Sequence, residues 1–118
     1  MSQKPARIDV VWSEQALWME LALPVEQGGT IRLDSAAWFA WLEAAVSVSF
    51  AYPILDTRAG WSVGSMTVRK ERRQRGRQYW VAYRRHSGRL RKVYLGRSSQ
   101  VTSARLAAVA AQWGATWG

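Results

Sequence analysis

No cysteine occurs in the 118 residues, and His86 is the only histidine. Without cysteine there is no disulfide framework, thiolate zinc site, iron–sulfur cluster or thiol nucleophile. A single histidine removes any two-histidine metal site and most triad chemistry. No apolar run reaches the roughly 18 residues of a membrane span, and the opening MSQKPAR leads into no signal-peptide core. The expectation is a cytoplasmic, nucleoid-associated protein with no cofactor, no metal and no membrane contact. Acidic residues are also scarce, above all between positions 69 and 97, where Glu71 stands alone.

What is present is a concentrated positive charge. The chain carries 17 Lys+Arg against 8 Asp+Glu, a formal net charge of +9. Residues 1–68 hold seven acids and four basic residues (Lys4, Arg7, Arg32, Arg58), whereas residues 69–97 hold twelve basic residues, ten of them Arg. Solubility faces mix signs; this segment does not. Such a surface cannot be buried and points to a polyanionic partner. Guanidinium forks match guanine and phosphate bidentately, so the arginine bias favours oriented recognition.

The pattern along the chain predicts an α+β fold of antiparallel strands and two helices. Residues 7–12 and 16–23 read as strands joined by Ser13-Glu14-Gln15, and Gly28-Gly29 turns into a short strand at 30–33. Asp34 or Ser35 caps a helix over 36–46, with Trp38, Trp41, Leu42 and Ala45 on one stripe, widened by Phe39 and Val46. Val48, Phe50, Tyr52 and Ile54 alternate as a strand that Pro53 places at an edge or ends. Residues 55–64 read as a loop, 66–72 as a strand, 74–77 as a turn and 79–85 as the strongest strand. Ser87-Gly88 makes a two-residue hairpin turn into a strand at 90–95, and Thr102 or Ser103 caps a helix to about Trp113. Each half thus reads as about three strands and a helix, which suggests a duplicated βββα unit. The expected division is an acidic, apolar half over 1–60 and a basic half over 61–118, joined in one domain, with a C-terminal three-stranded sheet.

A turn at Ser87-Gly88 pairs Trp80 with Leu95, Ala82 with Val93 and Arg84 with Arg91, an apolar bed for the last helix. The opposite face carries Tyr79, Val81, Tyr83, Arg85, Leu90, Lys92 and Tyr94. A one-residue slip would exchange the faces. A β-ribbon fits the roughly 12 Å major groove of duplex DNA. The candidate nucleic-acid contacts are Arg69, Lys70, Arg72, Arg73, Arg75, Arg77, Tyr79, Tyr83, Arg84, Arg85, Arg89, Arg91 and Lys92. The run 72–77 is the densest and reads as a phosphate clamp. The tyrosines are candidates for base stacking, as on RNA and single-strand platforms, or for ordinary sheet packing.

The stretch TVRKERRQRGRQYWVAYRRHSGRLRKVYLGRSSQVTSARLAAVA, residues 67–110, resembles a small basic module of Chloroflexi-type bacteria. That module occurs alone or ahead of the ATPase core of MalT-like, LuxR-family transcriptional regulators. Three strands followed by a helix are also similar, more distantly, to the arm-type DNA-binding domains of tyrosine-recombinase integrases. That likeness implies a sheet inserted into the major groove, with Arg69, Arg84, Arg85, Arg91 or Lys92 reading DNA. The chain has no recombinase catalytic domain, ATPase core or evident helix-turn-helix.

No acid pair stands beside a plausible nucleophile, and His86 flanks a turn, so catalysis is not expected. The leading expectation is a DNA-binding protein, regulatory or associated with mobile elements. The alternatives are a protein-interaction or adaptor module, and binding of RNA or single-stranded DNA. Eight tryptophans exceed what a small core needs, and Trp12, Trp18, Trp61 and Trp117 are candidates for a homodimer interface.

Overall fold

The computed structural model describes residues 7–44, 47–55, 62–72 and 76–117. Its centre is one seven-stranded sheet in the order β3-β2-β1-β4-β5-β6-β7. The strands are β1 (Asp9–Ser13), β2 (Trp18–Ala22), β3 (Thr30–Arg32), β4 (Ser49–Leu55), β5 (Ser62–Arg72), β6 (Gln78–His86) and β7 (Arg89–Gly96). Helix α1 (Ala36–Glu43) follows β3, and α2 (Ser103–Trp117) follows β7. All pairings are antiparallel except β1 with β4, where Asp9 lies beside Ala51. The class is therefore α+β.

Alternation explains which face is covered. Phe50, Tyr52 and Ile54 on β4 share a face with Met66 and Val68 on β5 and with Trp80 and Ala82 on β6, and all are buried. Val10 and Leu21 extend that face across β1 and β2. Trp38 and Leu42 of α1, with Leu106, Val109, Ala110 and Trp113 of α2, pack onto it in a single core. Rings of Trp38, Trp41 and Phe50 lie within 6.0 Å of one another, and Trp80 lies within 6.5 Å of Trp41 and Phe50, bridging α1 to the sheet. The indole N–H groups of the two most deeply buried tryptophans are satisfied: Trp38 donates to the Val101 carbonyl at 2.8 Å and Trp80 to the Ser98 hydroxyl at 3.1 Å. Among the described residues no element covers the opposite face.

The helix starts follow their caps. The Ser35 hydroxyl accepts from the Trp38 amide at 3.1 Å, and Thr102 accepts from Arg105 at 3.2 Å. Asp34 has a different task. Its backbone is left-handed, and its carboxylate accepts from the Ser103 amide at 2.7 Å, tying the end of β3 to the start of α2. The β6–β7 turn has positive φ at both Ser87 and Gly88, as a type I′ hairpin requires.

Several expectations are corrected. The basic strands are not a separate three-stranded sheet but the outer part of a seven-stranded one. Residues 1–60 hold β1, β2, β3, α1 and then β4, and residues 61–118 hold β5, β6, β7 and α2, so β4 is the strand outside the expected three-strand-and-helix units. Strand β5 begins at Ser62 rather than Met66, and its partner β4 keeps it paired through Gly64. Strand β2 begins at Trp18, because Leu17 takes a positive φ in the preceding turn. Val48 precedes β4 and is exposed, and α1 ends at Glu43, where Ala44 turns to extended backbone. Helix α2 continues to Trp117.

Pro53 occupies a central strand, not an edge. The Ala51 amide points at β1 and donates to the Ile8 carbonyl at 2.8 Å, so residue 53, two along, presents its nitrogen to the same side. Having no N–H there, Pro53 ends the β1–β4 ladder, whose described pairing is the one bridge at Ala51. The pairing of Trp80 with Leu95 is also displaced. From Val81 to His86 the expected partners hold, but a bulge between Trp80 and Val81 sets Trp80 opposite Gly96. Gly96 has φ +103, and a Cβ there would lie 2.0 Å from Gln100 Oε1, the atom that accepts the Arg97 amide.

Candidate nucleic-acid interface

Strand parity sorts the candidate residues. On the uncovered face, Thr67, Arg69 and Glu71 of β5 lie beside Tyr83, Val81 and Tyr79 of β6. Tyr94, Lys92 and Leu90 of β7 then pair with Val81, Tyr83 and Arg85. Arg69, Arg85 and Lys92 are exposed there. Val81 is buried, beneath neighbouring side chains rather than beneath another element.

Glu71 organises the tyrosines. Its two carboxylate oxygens accept from Tyr79, at 3.3 Å, and from Tyr83. The hydrogen bond to Glu71, with desolvation and the carboxylate charge behind it, raises the Tyr83 hydroxyl above its ordinary pKa. The Tyr79 and Tyr94 rings lie 5.3 Å apart, and Tyr94 is half exposed. These rings form a cross-strand cluster in which Tyr94 presents the most open surface.

The other face takes Lys70, Arg72, Arg84, Arg89 and Arg91, alongside Trp80 and Ala82. Two of these cations serve the fold. The Lys70 ammonium donates to the Ala44 carbonyl at 2.9 Å, at the end of α1, and lies 5.4 Å from the centre of the Trp80 ring. Burial pulls its pKa below the ordinary lysine value, against the raising effect of Glu43. Arg84 donates to the Ser65 carbonyl at 2.8 Å, and its guanidinium lies over Gly64. Gly64 has φ +145, and a Cβ there would come within 2.5 Å of Arg84 Nη1, so the position suits glycine doubly. Strand alternation thus turns two of the candidate contacts, Lys70 and Arg84, toward the helix side, which for Arg84 is the side the hairpin register gives. Arg91 shares that side but is exposed.

The distal part of the β6–β7 hairpin differs from the rest of the sheet. Every residue from Arg85 to Lys92 is exposed, so both faces of this two-stranded ribbon meet solvent. Arg85 and Lys92 project on one side, Arg89 and Arg91 on the other. At the far end of β6, Arg72 and Arg77 are exposed too, while Arg73 and Arg75 lie outside the described residues. Nine residues of β6 separate the two clusters by about 26 Å.

One further cation comes from outside the basic half. Arg7 lies just before β1, yet its Nη2 donates to the Ser65 hydroxyl at 2.8 Å and its Nε pairs with Asp9 at 2.7 Å. Its guanidinium therefore reaches from β1 to β5, over the buried Ala51. The sequence signal was slight: a basic residue two places before an acid at a strand start.

The tryptophan candidates do not form one patch. Trp12 pairs with Met19 and so has helix-face parity, whereas Trp18 lies beside Ser13 on the uncovered face. Trp18 stacks under Arg32 at 4.7 Å and donates to Glu20 at 3.0 Å. Trp61 and the Trp117 side chain lie outside the described residues. Among the described residues no helix is long and apolar enough to cross a membrane. Compared with protein-family models, curated proteins and solved structures, the chain matches none, so its own residues carry the functional argument.

Proposed function

We propose that the outer sheet, β5 to β7, docks on duplex DNA with the distal β6–β7 ribbon entering the major groove. The observation that carries this reading is the continuous exposure of Arg85 to Lys92, with cations on both sides of a two-stranded ribbon. A ribbon of that kind fits the roughly 12 Å groove, where Arg forks reach guanine edges or phosphates. Arg77, at the other end of β6, is placed for a second stretch of backbone. The uncovered face gives the duplex access without moving any part of the fold. The resemblance of residues 67–110 to modules of transcriptional regulators favours a regulatory or mobile-element role in the bacterial nucleoid, with no catalytic step.

Competition by fluorescence polarisation tests the reading. A labelled duplex bound to the whole chain is challenged with unlabelled duplex, single-stranded DNA and RNA hairpins. The proposal expects duplex DNA to compete best. Preferential displacement by single strands would move the function to base stacking on Tyr94, and no binding of the duplex at low salt would overturn it.

A further inference from the structure

Three shallow hollows of about 340, 410 and 460 Å³ adjoin on the uncovered face. Arg7 lines the first two, Thr67 the first and third, and Ser65 the second and third. They form one trough that crosses the sheet from β1 to β6. Small side chains, Ser49, Ala51, Ser65 and Thr67, line its middle, with larger ones such as Tyr83 and Leu90 toward the β6 end. Its cations are Arg7 at one end and Arg69 with Arg85 at the other.

We infer that this trough seats the sugar–phosphate backbone of one nucleic-acid strand, with Arg7 of the acidic half as a phosphate contact. The inference rests on the nucleic-acid reading above and extends its footprint past the basic segment. Three strand spacings separate β1 from β6, about 14 Å, long enough for about three successive phosphates of one strand. The hydroxyls of Ser65 and Thr67 supply neutral donors between the arginines. The recorded bonds of Arg7 use two of its five N–H donors, one to Asp9 and one to Ser65, and its side chain is 63% exposed. Asp9 is the opposing charge at this end, and Glu71 stands beyond Arg69 at the other.

Those two charges make a test with opposite signs. Salt-dependent polarisation titrations of a labelled duplex compare the whole wild-type chain with Arg7→Gln and Asp9→Asn. Loss of one phosphate contact should weaken binding about eight-fold at 0.1 M salt and make the log–log salt slope shallower by about 0.9. Asp9→Asn removes the competitor for Arg7 and should tighten binding. A merely structural Arg7–Asp9 pair would shift both variants the same way, and that result overturns the inference. Wild-type affinity and slope in both variants overturn it as well, while leaving DNA binding by the outer sheet intact. Failure of the wild-type chain itself to bind would instead remove the parent reading.

Discussion

Arg84 and Arg85 are adjacent in sequence and identical in chemistry, yet their faces give them opposite roles. Arg84 is half-buried on the helix side, where its guanidinium donates to the Ser65 carbonyl at 2.8 Å across the backbone of Gly64. A hydrogen bond from a charged group contributes about 1.5–3 kcal/mol. Arg84→Gln should therefore lower stability by about 2 kcal/mol, a fall in Tm of about 8 °C for a chain of this size. Arg85 is exposed on the opposite face, and surface substitutions usually stay within about 0.5 kcal/mol. Arg85→Gln should leave unfolding unchanged but remove one phosphate contact, weakening duplex binding about eight-fold at 0.1 M salt. Urea or thermal unfolding reads the first effect and polarisation titration the second. The reasoning is refuted if Arg84→Gln keeps full stability and flattens the salt slope as much as Arg85→Gln does.

Asp34 offers a graded test of the link between β3 and α2. Asp34→Asn keeps the acceptor and loses the charge, costing about 0.5 kcal/mol; Asp34→Gly loses the bond to Ser103 but suits the left-handed backbone, costing about 1 kcal/mol. Asp34→Ala loses both and should cost about 2–3 kcal/mol, so equal effects of Gly and Ala in urea unfolding would deny the backbone term. Because the Tyr83 pKa is raised on folding, its contribution to stability is complete below pH 10 and is lost as pH rises through the folded value. Glu71→Gln should let tyrosinate form at lower pH in an ultraviolet titration, and an unchanged titration would contradict the Glu71 bond. Gly96→Ala should destabilise, since its φ is +103 and the new methyl meets Gln100; wild-type unfolding would contradict the bulge geometry.

Much of this architecture is legible in the sequence because one-sided burial writes period-two and helical patterns into it. The strand cores, both helices, the Ser87-Gly88 turn and the pairing from Val81 to His86 follow from alternation and turn chemistry. What escaped was non-local. Pro53 reads as an edge residue because sequence does not reveal that a parallel ladder ends at its missing donor. The bulge at Trp80 depends on Gly96 and Gln100 meeting after the strand has ended. For the site, density of charge locates the basic strands, and the hairpin register gives the faces of β6 and β7 but not that of β5, where Lys70 sits. Arg7 is not legible as a site residue, because only the topology, with β1 beside β4, brings the acidic half next to the basic strands.

The central claim is that exposed cations of the outer sheet neutralise phosphates on duplex DNA. Seven exposed candidates in the described residues are Arg69, Arg72, Arg77, Arg85, Arg89, Arg91 and Lys92. The most direct measurement is the log–log dependence of duplex affinity on salt for the whole wild-type chain. Seven contacts give a slope of about −6, or roughly a four-thousand-fold loss of affinity between 50 and 200 mM salt. A slope near zero, or no binding at the lower salt, would contradict the account.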